Sequence, residues 1–290
     1  MKGTNRRGGT IALALLASFA ALALALLASF AAFGLLAVPA SAAKLRIHES
    51  VRSKNTSARF DSVTATCPKG EGAISGGYTV PQFSTITGLF LPSGSFLGDG
   101  GWQASVSQLG DDMEDGFVTS FAYCAKLGKD VVTRGDTTDI SNGTFTDLTA
   151  SCKRKESIIS GGWALSTSPD TSALVTRSLK QGKRSWKITG GTTVGTGTLI
   201  ALADCVPKKE APDLVTRKGA SPVSGATSTV TASCRKHEQV VSAGFSSNTA
   251  FLPFEFHRGG KRTWGTKGAT FGDPGTATVA AYCGKTGKSR

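Results

Sequence analysis

The chain predicts an all-β protein built from three tandem antiparallel repeats of about 80 residues, each closed by its own disulfide, behind an N-terminal apolar segment. Three observations predict it. A cysteine, eight residues, a small residue plus glycine, and then an aromatic occur three times: Cys67 to Gly76-Gly77-Tyr78, Cys152 to Gly161-Gly162-Trp163, and Cys234 to Ala243-Gly244-Phe245. The segment before each of these cysteines alternates apolar and small polar residues, the period of a half-buried strand. The composition is rich in glycine, threonine and serine, with 36 glycines in 290 residues, and no long stretch beyond the N-terminus keeps a 3.6-residue apolar period.

Met1 to Gly9 carries Lys2, Arg6 and Arg7 and no acid, and an almost unbroken apolar run follows from Ile11 to Val38, then Pro39 and Ala40-Ser41-Ala42. This is the order of a secretory signal, with cleavage expected after Ala42 or Ala43. The run is also long enough to cross a bilayer, which takes about 20 residues. A tandem duplication, Leu13–Ala21 repeated as Leu24–Ala32, accounts for the excess length. Residues 1–43 are therefore a signal peptide or, alternatively, an outward-facing membrane anchor. In both cases the remainder lies outside the cytoplasm, where an even number of cysteines implies disulfides.

The repeats span 44–130, 131–213 and 214–290. Their opening cysteines lie 85 and 82 residues apart and the closing ones, Cys124, Cys205 and Cys283, 81 and 78 apart. Repetition therefore selects Cys67–Cys124, Cys152–Cys205 and Cys234–Cys283 from the possible pairings. In each repeat the first strand points one face inward: Val63, Ala65 and Cys67; Leu148, Ala150 and Cys152; Val230, Ala232 and Cys234. A polar turn and a small apolar pair lead to the glycine–aromatic step, where the strand is expected to bend. A strand opened by Trp102, Trp186 or Trp264 follows, and a mostly apolar closing strand ends at the second cysteine. Each repeat thus offers four or more strands, with the disulfide tying the first to the last. A sheet of this size with one apolar face needs covering, and its two tethered siblings can supply the cover. The expected arrangement is a pseudo-threefold β-prism with one repeat per face.

The Cys67-Pro68-x-Gly70 start, the glycine–aromatic step and the closing cysteine resemble the repeat of the β-prism protein of the egg vitelline membrane outer layer. They are also similar to cysteine–glycine repeats in exported proteins of actinobacteria. The resemblance implies a threefold β-prism and carries no functional residue across.

The formal net charge is +13, and +10 without Lys2, Arg6 and Arg7. By thirds it is −1 for 44–130, +4 for 131–210 and +7 for 211–290. An exported basic surface favours anionic polymers. The strongest candidate for a binding element is the pair Gly182-Lys183-Arg184-Ser185-Trp186 and Gly260-Lys261-Arg262-Thr263-Trp264, with Arg177, Lys180, Lys187, Arg258 and Lys267 nearby. A basic turn beside an indole can hold a charged polymer while the ring stacks on a sugar. The competing reading is a charged hairpin tip and a core tryptophan, because the first repeat keeps Trp102 without the bases. Tyr78, Trp163 and Phe245 are candidate sugar platforms or, alternatively, core residues.

The acidic stretch Asp111, Asp112, Glu114 and Asp115 offers oxygen ligands for Ca²⁺, though not at EF-hand spacing, and otherwise reads as a solvated turn. His48, His237 and His257 fall at non-equivalent positions and no nucleophile or phosphate-loop pattern is present, so no catalytic residue and no cofactor is assigned. The expected function is a secreted or cell-envelope binding protein for an anionic glycan or wall polymer. A structural or protective envelope protein is the alternative, and a secreted hydrolase comes third. No specific nucleic acid is expected as partner, and a membrane only through the N-terminal segment.

Overall fold

The computed structural model describes residues 45–285, except 57, 82–88, 110–114, 129, 169–170 and 226. The expected signal or anchor, residues 1–43, lies outside the described residues.

Every repeat contributes six strands. The first supplies β1 (His48–Thr56), β2 (Phe60–Thr66), β3 (Gly72–Thr79), β4 (Leu89–Gly98), β5 (Gly101–Leu109) and β6 (Gly116–Ala125). The second supplies β7 (Val132–Ile140), β8 (Phe145–Ser151), β9 (Glu156–Thr167), β10 (Ser172–Gln181), β11 (Ser185–Val194) and β12 (Gly197–Pro207). The third supplies β13 (Leu214–Val223), β14 (Ser228–Ser233), β15 (Glu238–Ser247), β16 (Ala250–Arg258), β17 (Thr263–Phe271) and β18 (Gly275–Lys285).

These form three six-stranded antiparallel sheets in a prism-like arrangement, as the sequence predicts, but the faces are not one repeat each. Their orders are β1-β6-β3-β16-β17-β14, β13-β18-β15-β10-β11-β8 and β2-β5-β4-β9-β12-β7. Each face joins three strands of one repeat to three of another. Each repeat is split, its first, sixth and third strands lying in one face and its second, fifth and fourth in the next. The joins are short: Tyr78 opposite Phe256, Trp163 opposite Ser95, and Phe245 opposite Ser178.

The disulfides follow from this division. Cys67–Cys124, Cys152–Cys205 and Cys234–Cys283 form as the repeat predicts. They tie the end of the second strand of a repeat to its sixth, however, and not its first to its last. Because those two strands belong to different faces, each bridge staples one corner of the prism. Closing loops of this length contributes about 4 kcal/mol apiece on the chain-entropy account.

The repeated motif reads directly onto this geometry. Ile74, Ile159 and Val241 are the extra residues of three equivalent β-bulges, opposite the steps Tyr123/Cys124, Asp204/Cys205 and Tyr282/Cys283. The bend expected at the glycines therefore lies two residues earlier. The bulge frees these three side chains to pack together with Leu45, Ile47, Leu127, Val131, Ala211 and Leu214, closing one end of the core. The first glycine faces an indole: a Cβ on Gly76 would meet Trp102 at 2.0 Å, and one on Gly161 would meet Trp186 at 2.4 Å. The second glycine sits at the join between repeats, where a Cβ on Gly77, Gly162 or Gly244 would meet the backbone oxygen of Phe256, Ser95 or Ser178 within 2.3 Å.

The aromatic that follows points into the shared core. Tyr78 meets Trp163 edge-on at 6.4 Å and Phe256 at 6.3 Å, and Phe245 meets Phe256 at 5.3 Å. Hydroxyls cross between repeats as well. Ser75 Oγ donates to the Val241 carbonyl and Ser242 Oγ to that of Ile159, both at 2.5 Å.

Candidate functional site

Every pairing in the three sheets joins an odd-numbered strand to an even-numbered one, antiparallel. Odd strands therefore run one way and even strands the other, and every connection from an even to an odd strand emerges at the same end, here called the base. The bulge cluster closes this end, and Leu45, the first described residue, belongs to that cluster.

The base gathers the positive charge. Its described connections, with the chain entering β1, hold fourteen lysines and arginines against five acids, whereas those at the opposite end hold Arg59 against Asp115 and Asp273. The gradient by thirds along the sequence is thus an end-to-end polarity in the molecule. Lys153, Arg154 and Lys155, Lys208 and Lys209, and Arg235 and Lys236 are all exposed there. So are the four predicted bases Lys183, Arg184, Lys261 and Arg262.

The predicted basic turns are held by their own backbones. The Arg184 carbonyl accepts from Cys152 N at 2.7 Å and the Lys183 carbonyl from Ile158 N at 3.1 Å. The third repeat copies this, with the Arg262 carbonyl accepting from Cys234 N at 2.8 Å and that of Lys261 from Val240 N at 3.1 Å. With main-chain groups facing inward, the charged side chains project into solvent from a fixed turn.

The indoles expected beside these bases are not available to a ligand. Trp186 and Trp264 are 1% and 0% exposed and Trp102 is buried like them: Trp102 and Trp186 pack on the first glycine of the motif, Gly76 and Gly161, and Trp264 on Tyr123 and Phe256. Trp186 Nε1 donates to Ser178 Oγ at 2.9 Å, as Trp102 Nε1 does to Ser95 Oγ at 3.0 Å. In the third repeat Phe256 stands at the serine position, and Trp264 Nε1 has no partner among the described residues. The sugar-platform reading of Tyr78, Trp163 and Phe245 is corrected for the same reason: all three are core residues. Asp111, Asp112 and Glu114 lie outside the described residues, and Asp115 is exposed.

Two features of the base went unread in the sequence. Glu71, Glu156 and Glu238 stand four residues after each opening cysteine, a spacing as regular as that of the glycines. Glu156 accepts two bonds from Arg134, at 2.8 and 2.6 Å, and one from Lys153 N at 2.8 Å. Glu238 does the same with Arg217, at 3.2 and 2.7 Å, and with Arg235 N at 2.9 Å. The guanidinium in each case holds the carboxyl down to about 2. The first repeat has Ser50 at the arginine position, and His48 approaches Glu71 at 3.8 Å instead.

The second feature is the residue before the closing cysteine. Tyr123 OH accepts from Arg258 N at 2.8 Å and Tyr282 OH from Lys180 N at 2.7 Å, each tying one repeat to a strand of another within a shared face. The middle repeat has Asp204 there, fully buried, accepting from Ser160 Oγ at 2.7 Å and Thr133 Oγ1 at 2.9 Å. Burial pushes its carboxyl up, against the two hydroxyls that lower it.

Two corners of the base open into pockets. One, of about 450 Å³, includes Arg46, Arg258 and Lys261, and the other, of about 430 Å³, includes Glu71, Leu97 and Asp130. With this geometry in place, neither a protein-family model nor a curated protein sequence matches the chain.

Proposed function

We propose that the chain is an exported, non-catalytic binding protein that takes an anionic glycan or wall polymer across the base of its prism. The observation that carries this reading is the gathering of basic turns from all three repeats at one end, with few acids among them. An extended polyanion meets such an end at several cations at once, and the oppositely poor end gives binding a direction. Three disulfides fit an oxidising compartment outside the cytoplasm. Because the indoles are buried, recognition rests on charge and hydrogen bonding and not on ring stacking.

Retention on immobilised teichoic acid and on an acidic glycan, against a neutral glycan, tests this between about 0.05 and about 0.5 M salt, across which the screening length falls severalfold. The expected result is retention on both anionic surfaces, lost with rising salt and lost in the combined variant Lys153→Gln, Arg154→Gln, Lys183→Gln, Arg184→Gln. Absence of retention on every surface would sink the reading and leave a structural envelope role.

A further inference from the structure

At the basic end, cations converge on a cavity. Where the hairpin tip of β16 and β17 meets the chain entering β1, the open pocket of about 450 Å³ is walled by Arg46, Ile47, Glu49, Arg258, Gly260 and Lys261. Gln239 Nε2 donates to the Leu45 carbonyl and so seats the entering strand against the third repeat. Arg258 is fixed from three sides. Its main-chain N donates to Tyr123 OH, its guanidinium lies 5.0 Å from the Tyr123 ring centre, and Nη2 donates to the Lys261 carbonyl at 3.0 Å. Its Nε is buried without a hydrogen-bond partner among the described residues, and Glu49 acts on the guanidinium through its charge.

The neighbouring corner shows that the fold makes the cavity and the sequence makes its charge. That pocket, of about 430 Å³, has Leu97 where Arg258 stands, glycines at its hairpin tip, and Glu71 and Asp130 in its wall. Its volume is similar, and among the described residues its lining holds no cation.

We propose that the Arg46–Arg258–Lys261 pocket is a subsite for one phosphoryl group, free or esterified to a hydroxyl-rich remainder such as glycerol or a sugar. Three cations from two chain segments can each meet an oxygen of a tetrahedral dianion, with charge-assisted bonds and a guanidinium fork already in place. Glu49 repels a second anion and accepts hydroxyls, so the part of the ligand beside it is uncharged. The proposal rests on the anionic-polymer reading and names the group recognised at one of its contacts.

Titration of the protein with inorganic phosphate, glycerol 3-phosphate and acetate, followed through the Arg258 Nε–H and Gly260 amide resonances, tests it. Both phosphates should give saturable shifts, the ester binding more tightly and acetate at least about tenfold more weakly, equivalent to about 1.4 kcal/mol. Lys261→Gln and Arg258→Lys should each weaken the ester about tenfold with the thermal midpoint retained, and Lys218→Gln, an exposed cation within β13, should change nothing. Lys261→Gln is exposed, so its reading does not depend on the packing of Arg258. Shifts that never saturate, acetate binding as tightly as phosphate, or equal weakening by Lys218→Gln would each overturn the subsite. Polymer retention that persists while the phosphate shifts are absent would overturn this inference alone, and saturable phosphate binding without retention would overturn only the polymer reading.

Discussion

Asp204 is the residue at which the threefold pattern breaks most sharply. Its siblings Tyr123 and Tyr282 use a long side chain to reach the next repeat, whereas the carboxyl turns back to Ser160 and Thr133 within its own. Ser160 is thereby diverted from the inter-repeat role of Ser75 and Ser242. A carboxyl raised above 3.8 in the fold binds more protons folded than unfolded, so its contribution to stability falls as pH climbs from 3.8 through its raised value. Glu156 and Glu238 act in the opposite sense: held down to about 2, they stabilise fully above the ordinary value of 4.5 and lose this as pH drops toward 2. Asp204→Asn is therefore expected to raise the unfolding midpoint at neutral pH and remove the decline above 3.8. The acid limb set by the two glutamates should remain. Chemical denaturation of both proteins across pH would reveal the difference, and an unchanged neutral-pH midpoint would refute the assignment.

At the scale of strands, the glycine step explains how two repeats share a face. Gly77, Gly162 and Gly244 stand where a neighbouring repeat's strand passes with no room for a Cβ. Gly162→Ala should destabilise by about 1 to 3 kcal/mol, the usual cost of forcing atoms into a packed site. Gly70→Ala, at an exposed turn with open space but a φ of +86°, should cost about 1 kcal/mol, which is the conformational term alone. Equal losses measured by thermal unfolding would contradict a special role for the join. This close approach was legible in the sequence as one of two meanings of a strand glycine, and the inward faces of β2, β8 and β14 were legible from Val63, Leu148 and Val230. The partner of each strand was not, because a period of two fixes the face a side chain takes and says nothing of which strand lies alongside. The bulges at Ile74, Ile159 and Val241 were hidden for a related reason, since an apolar pair reads the same with or without an extra residue.

For the whole molecule, the division of each repeat over two faces links the corner disulfides, the joins and the basic end. Cys152→Ala with Cys205→Ala should cost about 2 to 5 kcal/mol and loosen the corner between the second and third faces, seen as a lower denaturation midpoint. The charge gradient along the sequence was legible, but its gathering at one end was not. That needed the count of six strands per repeat, which decides whether Lys153, Lys183, Lys208, Arg235 and Lys261 emerge together. For Trp186 and Trp264 the reading as core residues under charged hairpin tips holds, because a turn next to a tryptophan in sequence can face away from it in space, the strand's first inward residue being buried while its tip is wet. A molecule interlocked in this way should open as one unit. Hydrogen exchange at the amides of Tyr78, Trp163 and Phe245, one beside each join, is the most direct measurement. Protection is predicted to be lost at all three in a single global transition with the same free energy, whereas separate opening of one repeat at lower denaturant would contradict the shared-face architecture.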